Sequence, residues 1–161
     1  MAPQRIPTII LAGLALVLGG AACGGKGGGL ESPEAVAKAL AAAGEANDPK
    51  AVEALFPTKE QLDEAMLCKE GKGPWEQIEK HAKAMVADLD EIRAELGEVI
   101  RVETREPEIV KPGDGKNGCR ALVELTGHRG KVFFKNKKKG GEEDSEGLQF
   151  IKLGDQGWFL R

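Results

Sequence analysis

The spacing of apolar residues changes at Gly97, and this change constrains the fold more than any other feature of the sequence. Before Gly97, apolar residues recur at the spacings of three and four that are typical of helices. After it, short runs rich in β-branched and aromatic residues alternate with polar positions, as strands do. No helical segment lies between these runs to serve as a crossover, so we predict an α+β fold with an antiparallel sheet.

The first half predicts three short helices and one long helix. Ser32, Asp48 and Thr58 stand where N-caps are expected, and the first two directly precede a proline. We expect Gly44 to end the first helix and Met66 to lie in the third. The long helix is predicted over Pro74–Leu96, where an apolar stripe contains Trp75, Ile78, Ala82, Met85, Leu89, Ile92 and Leu96. We expect this stripe to pack on the sheet. A coiled coil is the alternative, although the stripe covers only about three heptads.

The second half predicts a small sheet of four to five strands. The predicted strands are Val99–Thr104, Arg120–Thr126, Lys131–Lys135, Leu148–Leu153 and Trp158–Leu160. Pro107–Gly118 is predicted to be a long polar loop. His128 lies in Gly127–Gly130, which we predict to be an exposed turn.

The N-terminus predicts an exported protein. Arg5 precedes the apolar run Ile9–Leu18, which ends in the small residues Gly19–Ala22, and this order is typical of a signal peptide over residues 1–22. The run is roughly half of the ~20 residues that a membrane-spanning helix needs. We therefore expect the segment to be removed rather than to remain as a transmembrane anchor.

The cleavage region, Ala21-Ala22-Cys23, resembles the lipobox of bacterial lipoproteins. The resemblance implies that Cys23 becomes the mature N-terminus and carries a diacylglycerol and acyl chains such as palmitate. Gly20 departs from the family, which usually has Leu at that place, and plain secretion after cleavage at Ala22 is the alternative. A lipoprotein would lie in the cell envelope, facing the periplasm or the exterior. By the same analogy, Gly24 favours the outer membrane in a cell with two membranes.

Length and charge predict one domain after the lipid anchor. Residues 23–29 contain the lipidated Cys23 and a glycine-rich tether, and residues 30–161 are long enough for a single α+β domain with one core. Removing the signal peptide deletes Arg5 and takes the formal net charge from −3 to −4. A mildly acidic domain is a poor non-specific binder of nucleic acid, so we expect no nucleic-acid partner.

The two other cysteines predict a disulfide. With Cys23 assigned to lipid, Cys68 and Cys119 remain as a pair in an oxidising compartment. Closing a loop of about 50 residues stabilises the fold by roughly 4 kcal/mol in the chain-entropy model. Two separate buried thiols are the alternative, because free cysteine packs well as a small hydrophobe.

Both ends of the predicted domain resemble small bacterial lipoproteins with a nuclear transport factor 2-like (cystatin-like) domain of unknown function. The resembling segments are Ser32–Val36, Gly44–Asp48, Ala51–Pro57, Ile151–Leu153 and Gly157–Leu160. The resemblance implies a curved, cone-like sheet around the long helix, sometimes with a pocket at the open end. Many members of that superfamily are catalytic and many only bind, so the resemblance gives function only by analogy.

The sequence predicts no catalytic, cofactor-binding or metal-binding residue. Gly113–Gly118 matches a dinucleotide fingerprint by letter, but the alternating residues that follow it predict a strand instead of the required helix. The two histidines are far apart, and neither H-x-x-x-H nor C-x-x-C occurs. His81 lies at the edge of the apolar stripe, where a boundary residue is one interpretation and a base oriented by Asp88 is the other.

The expected function is therefore a lipid-anchored, non-catalytic binding or interaction module with a small apolar ligand or another envelope protein as its partner. A small pocket enzyme of isomerase or cyclase type is the alternative. The chain contains no tyrosine, so it lacks the hydroxyl with which ketosteroid-isomerase-like members stabilise an oxyanion. A plain secreted protein is a second alternative.

The lysines at 135 and 137–139 either screen the adjacent acidic run or contact anionic lipid.

Overall fold

The computed structural model describes residues 28–161, apart from the side chain of Lys116, and the α+β class is confirmed. Its helices are α1 (Pro33–Ala46), α2 (Pro49–Glu53), α3 (Lys59–Ala65), α4 (Trp75–Ala87) and α5 (Leu89–Glu95). Its strands are β1 (Met66–Cys68), β2 (Leu96–Thr104), β3 (Glu108–Val110), β4 (Gly115–Lys116), β5 (Cys119–Ala121), β6 (Leu125–Asn136), β7 (Glu142–Leu153) and β8 (Trp158–Leu160). Within this part of the chain, no helix has the length and hydropathy to span a bilayer.

The predicted starts of the first three helices are confirmed by their capping hydrogen bonds. Ser32 and Asp48 accept hydrogen bonds from backbone N–H groups in the first turns of α1 and α2. Thr58 and Gln61 form a capping box at α3, in which each side chain accepts from the backbone N–H of the other residue. These bonds satisfy donors that a helix start otherwise leaves without a partner.

The predicted end of α1 is wrong, because the helix continues past Gly44 to Ala46. Asn47 caps it in the left-handed conformation, with φ of 52°. Gly44 instead allows a close contact between helices, since a Cβ atom there would lie 2.8 Å from Cγ2 of Ile92 on α5.

The predicted long helix is present but is interrupted at Asp88. That residue has φ of −89° and ψ of 10°, so the chain bends between α4 and α5. Neither proline nor glycine occurs at this place, and the usual sequence signals of a kink are therefore missing. The bend directs the two parts to different surfaces: the extensive contacts of α4 beyond α5 are with α2, whereas α5 packs on α1 and β2.

The main sheet is antiparallel and has the strand order β2-β6-β7-β8, with β3 also paired to β6. Register shifts on either side of Val99 mark bulges in β2, and bulges bend a strand and increase its twist. Gly97 is required at this edge, because a Cβ atom there would lie 2.3 Å from the carbonyl oxygen of Lys135. On strand faces that remain partly open, Arg101 stacks over Phe133, with 3.7 Å between Cζ and the ring centroid.

A second, three-stranded sheet has the order β1-β5-β4 and corrects two predictions. Met66 does not extend the third helix, since it begins β1 and pairs with Ala121 of β5. The predicted loop Pro107–Gly118 contains β3, which pairs with β6, and β4, which pairs with β5. The partners of β1 and β3 lie far along the chain, so local sequence signals do not reveal these two strands. β4 is different, because it pairs with β5 across the two-residue turn Asn117-Gly118, and the prediction of a loop missed this local hairpin signal.

The core lies mainly beneath α1, the helix that packs on β2 and β8. Its largest fully buried side chains include Phe150, Phe159, Leu62, Leu153 and Leu160. From the predicted stripe, Ile78 and Leu89 are buried, whereas Trp75, Met85 and Ile92 are partly buried against the core. The expectation that the whole stripe packs on the sheet is therefore wrong, because much of it packs on α1 and α2.

We predict that Gly44→Ala destabilises the protein by roughly 1 kcal/mol or more. Overpacking against Ile92 costs about 1–3 kcal/mol, and the better helix propensity of alanine offsets only up to about 1 kcal/mol. Urea unfolding followed by circular dichroism measures the change. In an Ile92→Ala background, which removes the obstructing Cγ2 atom, the cost of Gly44→Ala should shrink. An increase in stability of the single variant would contradict the close-contact role of Gly44.

Candidate functional site

A cavity of about 550 Å³ opens between α4 and α5 on one side and β6 and β7 on the other. It exists because α1 covers β2 and β8, while α4 and α5 rest on α2 and α1. The helices are thereby held away from the far half of the β6–β7 hairpin. In addition, β8 pairs with β7 only at Phe150, Ile151 and Lys152, which leaves the edge of β7 at Glu146–Leu148 beside the cavity.

The base of the cavity is apolar. It is formed by the side chains Ala37 and Leu40 of α1, Phe56 after α2, Val132 and Phe134 of β6, and Leu160 of β8. All of them are buried, so the base is a continuation of the core. Met85 and Ile92 add partly buried apolar walls from α4 and α5. Such a surface favours the apolar part of a ligand, because contact removes that part from water.

The rim of the cavity is charged and mainly acidic. Its ionisable residues are His81, Asp88, Glu91, Glu95, Glu146 and Arg161. Glu95 accepts a hydrogen bond from Lys138 at 2.8 Å, and this bond raises the pKa of Lys138 above its ordinary value. The four carboxylates outnumber the one arginine, so the rim favours a neutral or positively charged group over an anion.

His81 and Asp88 lie together on this rim, on the exposed side of α4 and its C-cap. Within residues 28–161 no hydrogen bond joins them. His81 is therefore placed as the boundary residue that one interpretation expects. The other rim carboxylates were not recognised from the sequence, although Asp88, Glu91 and Glu95 recur at spacings of three and four and so share one helix face.

The predicted disulfide between Cys68 and Cys119 is confirmed. The two residues are directly opposite each other in the pairing of β1 with β5, and their Cα atoms are 3.9 Å apart. Cys68 is the last residue of β1, and Cys119 is the first residue of β5. The bond joins the chain between α3 and α4 to the segment that precedes β6.

The signal peptide and Cys23 lie outside the described residues. The described chain begins beside the loop between β7 and β8, where the backbone N–H of Gly29 donates to the carbonyl of Gln156 at 3.1 Å. Leu30 then pairs with Trp158. Side chains are excluded at this contact, because a Cβ atom on Gly157 would lie 2.7 Å from the carbonyl carbon of Gly29.

His128 does not lie in an exposed turn, and that prediction is wrong. It is a half-buried residue in the continuous strand β6, directly opposite Phe150 of β7. Its ring centroid is 5.2 Å from that of Trp158, and its Nδ1 atom is 3.0 Å from the carbonyl oxygen of Arg105. Pairing with β3 and β7 keeps Gly127–Gly130 extended, although glycine on both sides of a polar pair is typical of a turn.

The lysines around the β6–β7 turn all form ion pairs. Lys139 pairs with Asp144 of the acidic run, at 2.7 Å. The other three reach acids elsewhere: Lys135 pairs with Glu98, Lys137 with Glu45, and Lys138 with Glu95. The pKa of Asp144 is lowered by hydrogen bonds from Lys139, from its neighbour's backbone N–H and from the buried Asn136. These lysines therefore hold the turn against α1, α5 and β2.

A metal site is not formed by the described residues, since they contain no group of three or more His, Cys, Asp or Glu side chains that could hold an ion. The exposed surface also carries few large apolar side chains in this part of the chain: Leu67, Ile100, Ile109 and Leu122.

Comparison with solved structures finds a crystal structure from Campylobacter jejuni that is described as a "Putative NTF2-like transpeptidase". The sequences are 18% identical, the alignment covers 81% of this chain and 97% of that chain, and the TM-score is 0.40. The fold name in that description is the one that the sequence resemblance implies. At this TM-score the likeness carries no argument, and the superfamily assignment stays a prediction. No protein-family model and no curated protein sequence matches the chain.

We predict that protonation of Asp144 destabilises the folded protein in acid. Because its pKa is lower in the folded state, the carboxylate stabilises the fold above the ordinary aspartate pKa of about 3.9, and this contribution is lost as the pH falls through the folded pKa. Asp144→Asn should therefore lower the urea midpoint at pH 7 and flatten its decline towards pH 3. Asp90→Asn on the exposed side of α5 is the control. An unchanged pH profile in Asp144→Asn would exclude the role of this hydrogen-bonded cluster.

Proposed function

We propose that this protein is a lipid-anchored cell-envelope protein whose domain binds a small, largely apolar ligand without catalysis. The observation that supports the proposal most directly is the cavity between α4–α5 and the β6–β7 hairpin, with its apolar base and charged rim. Its volume of about 550 Å³ falls in the range of roughly 300–1,000 Å³ that is usual for small-molecule sites.

The cavity offers a ligand two environments, an apolar base and a charged rim. The buried base, from Leu40 to Phe134, accepts the apolar body, and each Å² of apolar surface removed from water contributes about 25 cal/mol. The rim carboxylates Asp88, Glu91 and Glu146 select a neutral or cationic polar group at the mouth. A fatty acid or a phosphate ester would place its negative charge beside these groups, so such ligands are disfavoured.

The lipid anchor is proposed from the sequence, through the signal peptide and the lipobox-like Ala21-Ala22-Cys23. The fold suits such an anchor. The described chain begins at Gly28, next to the loop that follows β7, whereas the cavity lies towards the opposite half of that strand, at Glu146–Leu148. A ligand would therefore reach the cavity from the side of the domain that the anchor does not approach.

A catalytic role is the alternative, and the shared position of His81 and Asp88 on the rim is the observation that favours it. Binding alone is the better-supported proposal. His81 is exposed, and a general base that works on a bound substrate has to be within hydrogen-bond reach of the proton that it removes.

We predict that a bulky residue at Ala84 blocks the cavity. Ala84 is exposed on α4 and lines the cavity, so Ala84→Trp adds a large side chain at the mouth without opening the core. The probe is N-phenyl-1-naphthylamine, a neutral apolar dye whose fluorescence increases when it leaves water. The wild-type chain should bind it saturably, and Ala84→Trp should weaken binding about tenfold or more.

The control is Ala94→Trp, which makes the same change at an exposed position of α5 that does not line the cavity. Its affinity for the dye should equal that of the wild type. Equal affinities for all three proteins would show that the dye binds elsewhere and would refute the cavity as the binding site.

We predict that Cys23→Ala abolishes lipid anchoring. The unaltered protein should fractionate with membranes and have a mature mass that includes a diacylglycerol and an acyl chain, because two or more chains suffice for stable anchoring. The variant should be soluble or retain its signal peptide. If both proteins had the same mature mass and the same distribution, the lipoprotein proposal would fail and plain secretion would replace it.

A further inference from the structure

The start of the described chain fixes which end of the domain is nearest to Cys23. The backbone N–H of Gly29 donates to Gln156, and the side chain of Gln156 donates to Glu64 of α3 at 3.2 Å. We call this region the anchor end and define it as Gly28–Leu30, the end of α3, the chain from Leu122 to Glu124, and the turn Gly154–Gln156.

Hydrogen bonds join the small sheet to this same end. The backbone N–H of Gly154 donates to Glu124 at 2.9 Å, and that of Leu122 donates to Ala65 at 2.9 Å. Ala65 directly precedes β1, and Leu122 directly follows β5. The disulfide between these two strands makes the arrangement covalent. The sheet of β1, β5 and β4 is therefore part of the anchor end.

The segment between Cys23 and Gly28 is short, so the anchor end must stay close to Cys23. Four residues separate Cys23 from Gly28, so the Cα atoms of the two are at most about 18 Å apart. The main sheet is longer, because the 12 residues of β6 span about 40 Å. If Cys23 is held in a bilayer, the anchor end is therefore the part of the domain that stays nearest to that bilayer.

The anchor end exposes apolar side chains of a kind that the rest of the described surface mostly buries. Leu67 of β1 is 58% exposed and Leu122 after β5 is 45% exposed. Ile109, 51% exposed, lies on β3 opposite Thr126, near the same end of β6. Ile100 is the exposed apolar residue at the other end, where β2 pairs with β6 near Phe134.

The small sheet at the anchor end is also basic, whereas the rest of the described chain is acidic. The segments 66–73 and 111–122, which build the small sheet, contain five Lys or Arg residues and two acids, for a net charge of +3. The rest of residues 28–161 contains 16 Lys or Arg and 24 Asp or Glu residues, for a net charge of −8. Within the described chain Lys69, Lys72 and Arg120 form no ion pair, unlike the four lysines of the β6–β7 turn.

We propose that the small sheet docks on the anionic surface of the membrane that holds Cys23. Leu67 and Leu122 enter the headgroup region, and Lys69, Lys72 and Arg120 face the lipid phosphates. The inference rests on the proposed lipid anchor, which supplies the high local concentration that a patch of this size needs. The acidic remainder of the domain is repelled by the same surface, so docking orients the cavity away from the bilayer.

The test attaches the lipid chemically, which makes it independent of lipidation in the cell. In residues 23–161 produced without the signal peptide, Cys23 is not lipidated and is the only free thiol, because Cys68 and Cys119 are bonded to each other. A maleimide lipid therefore couples to Cys23 alone and holds the protein on vesicles of phosphatidylcholine, with or without about 30% phosphatidylglycerol. Hydroxyl-radical footprinting with mass spectrometry then measures the solvent access of each exposed side chain.

On anionic vesicles the oxidation of Leu67 and Leu122 should fall roughly threefold or more relative to neutral vesicles, while Ile100, about 30 Å away along the sheet, should not change. About 0.5 M NaCl should restore the oxidation, because salt screens the attraction. Lys69→Glu with Arg120→Glu should abolish the protection. Lys80→Glu with Lys131→Glu, which changes the net charge equally elsewhere, should leave it intact.

Equal oxidation of Leu67 on neutral and anionic vesicles would overturn the docking surface. Equal loss of protection in both charge-reversed variants would also overturn it, because the attraction would then depend on total charge. Failure of lipidation in cells would instead refute the proposed anchor. The vesicle experiment would still test the docking surface, because its lipid is attached chemically. Circular dichroism of each variant confirms that the fold is retained.

Discussion

The arrangement of the main sheet depends on β6, whose hydrogen-bonding edges are both occupied. One edge pairs with β7 residue by residue, from Leu125 opposite Leu153 to Asn136 opposite Glu142. The other edge pairs first with β3 and then with β2. A slip of one residue would exchange the two faces and bring buried side chains such as Val132 and Phe134 into water. The register of this strand therefore fixes the surface on which α1 packs.

The cavity forms because α1 covers only part of the main sheet. α1 packs on β2 and β8, and the helices above it are held by α1 and α2 rather than by the hairpin. Gly44 lets α5 approach α1 closely, whereas the bend at Asp88 turns α4 towards α2. The space that remains beside the hairpin keeps a buried apolar base and acquires the exposed carboxylates of α5 at its mouth.

Three structural features distinguish the two ends of the domain. Each of the four lysines of the β6–β7 turn forms an ion pair, two of them with α1 and α5, one with β2 and one with β7. On the disulfide-linked small sheet, Lys69 and Arg120 form no ion pair within the described chain, and the exposed Leu67 lies on the same sheet. The described chain also begins at this end, where Gly29 donates to Gln156. The proposed anchor and the proposed ligand site thereby lie at different ends of the domain.

Local interactions account for what could be predicted from the sequence. Ser32, Asp48 and Thr58 cap the helices because each bond forms within a few residues of the cap. The pair Cys68 and Cys119 followed from counting the cysteines of a chain expected to be exported, and the strands near the C-terminus followed from their alternation. These signals were enough for the α+β class.

Contacts between distant segments decided the rest. Met66 and His128 were misassigned because β5, β3 and β7, which hold them in strands, lie far from them in the chain. The bend at Asp88 has no local signal, since it results from packing on two different partners. The sequence by itself determined the helix starts, which depend on neighbouring residues, and the cysteine pair, which depends on the small number of cysteines. Only the tertiary structure decided where the cavity and the basic apolar surface lie, because each is assembled from residues that only folding brings together.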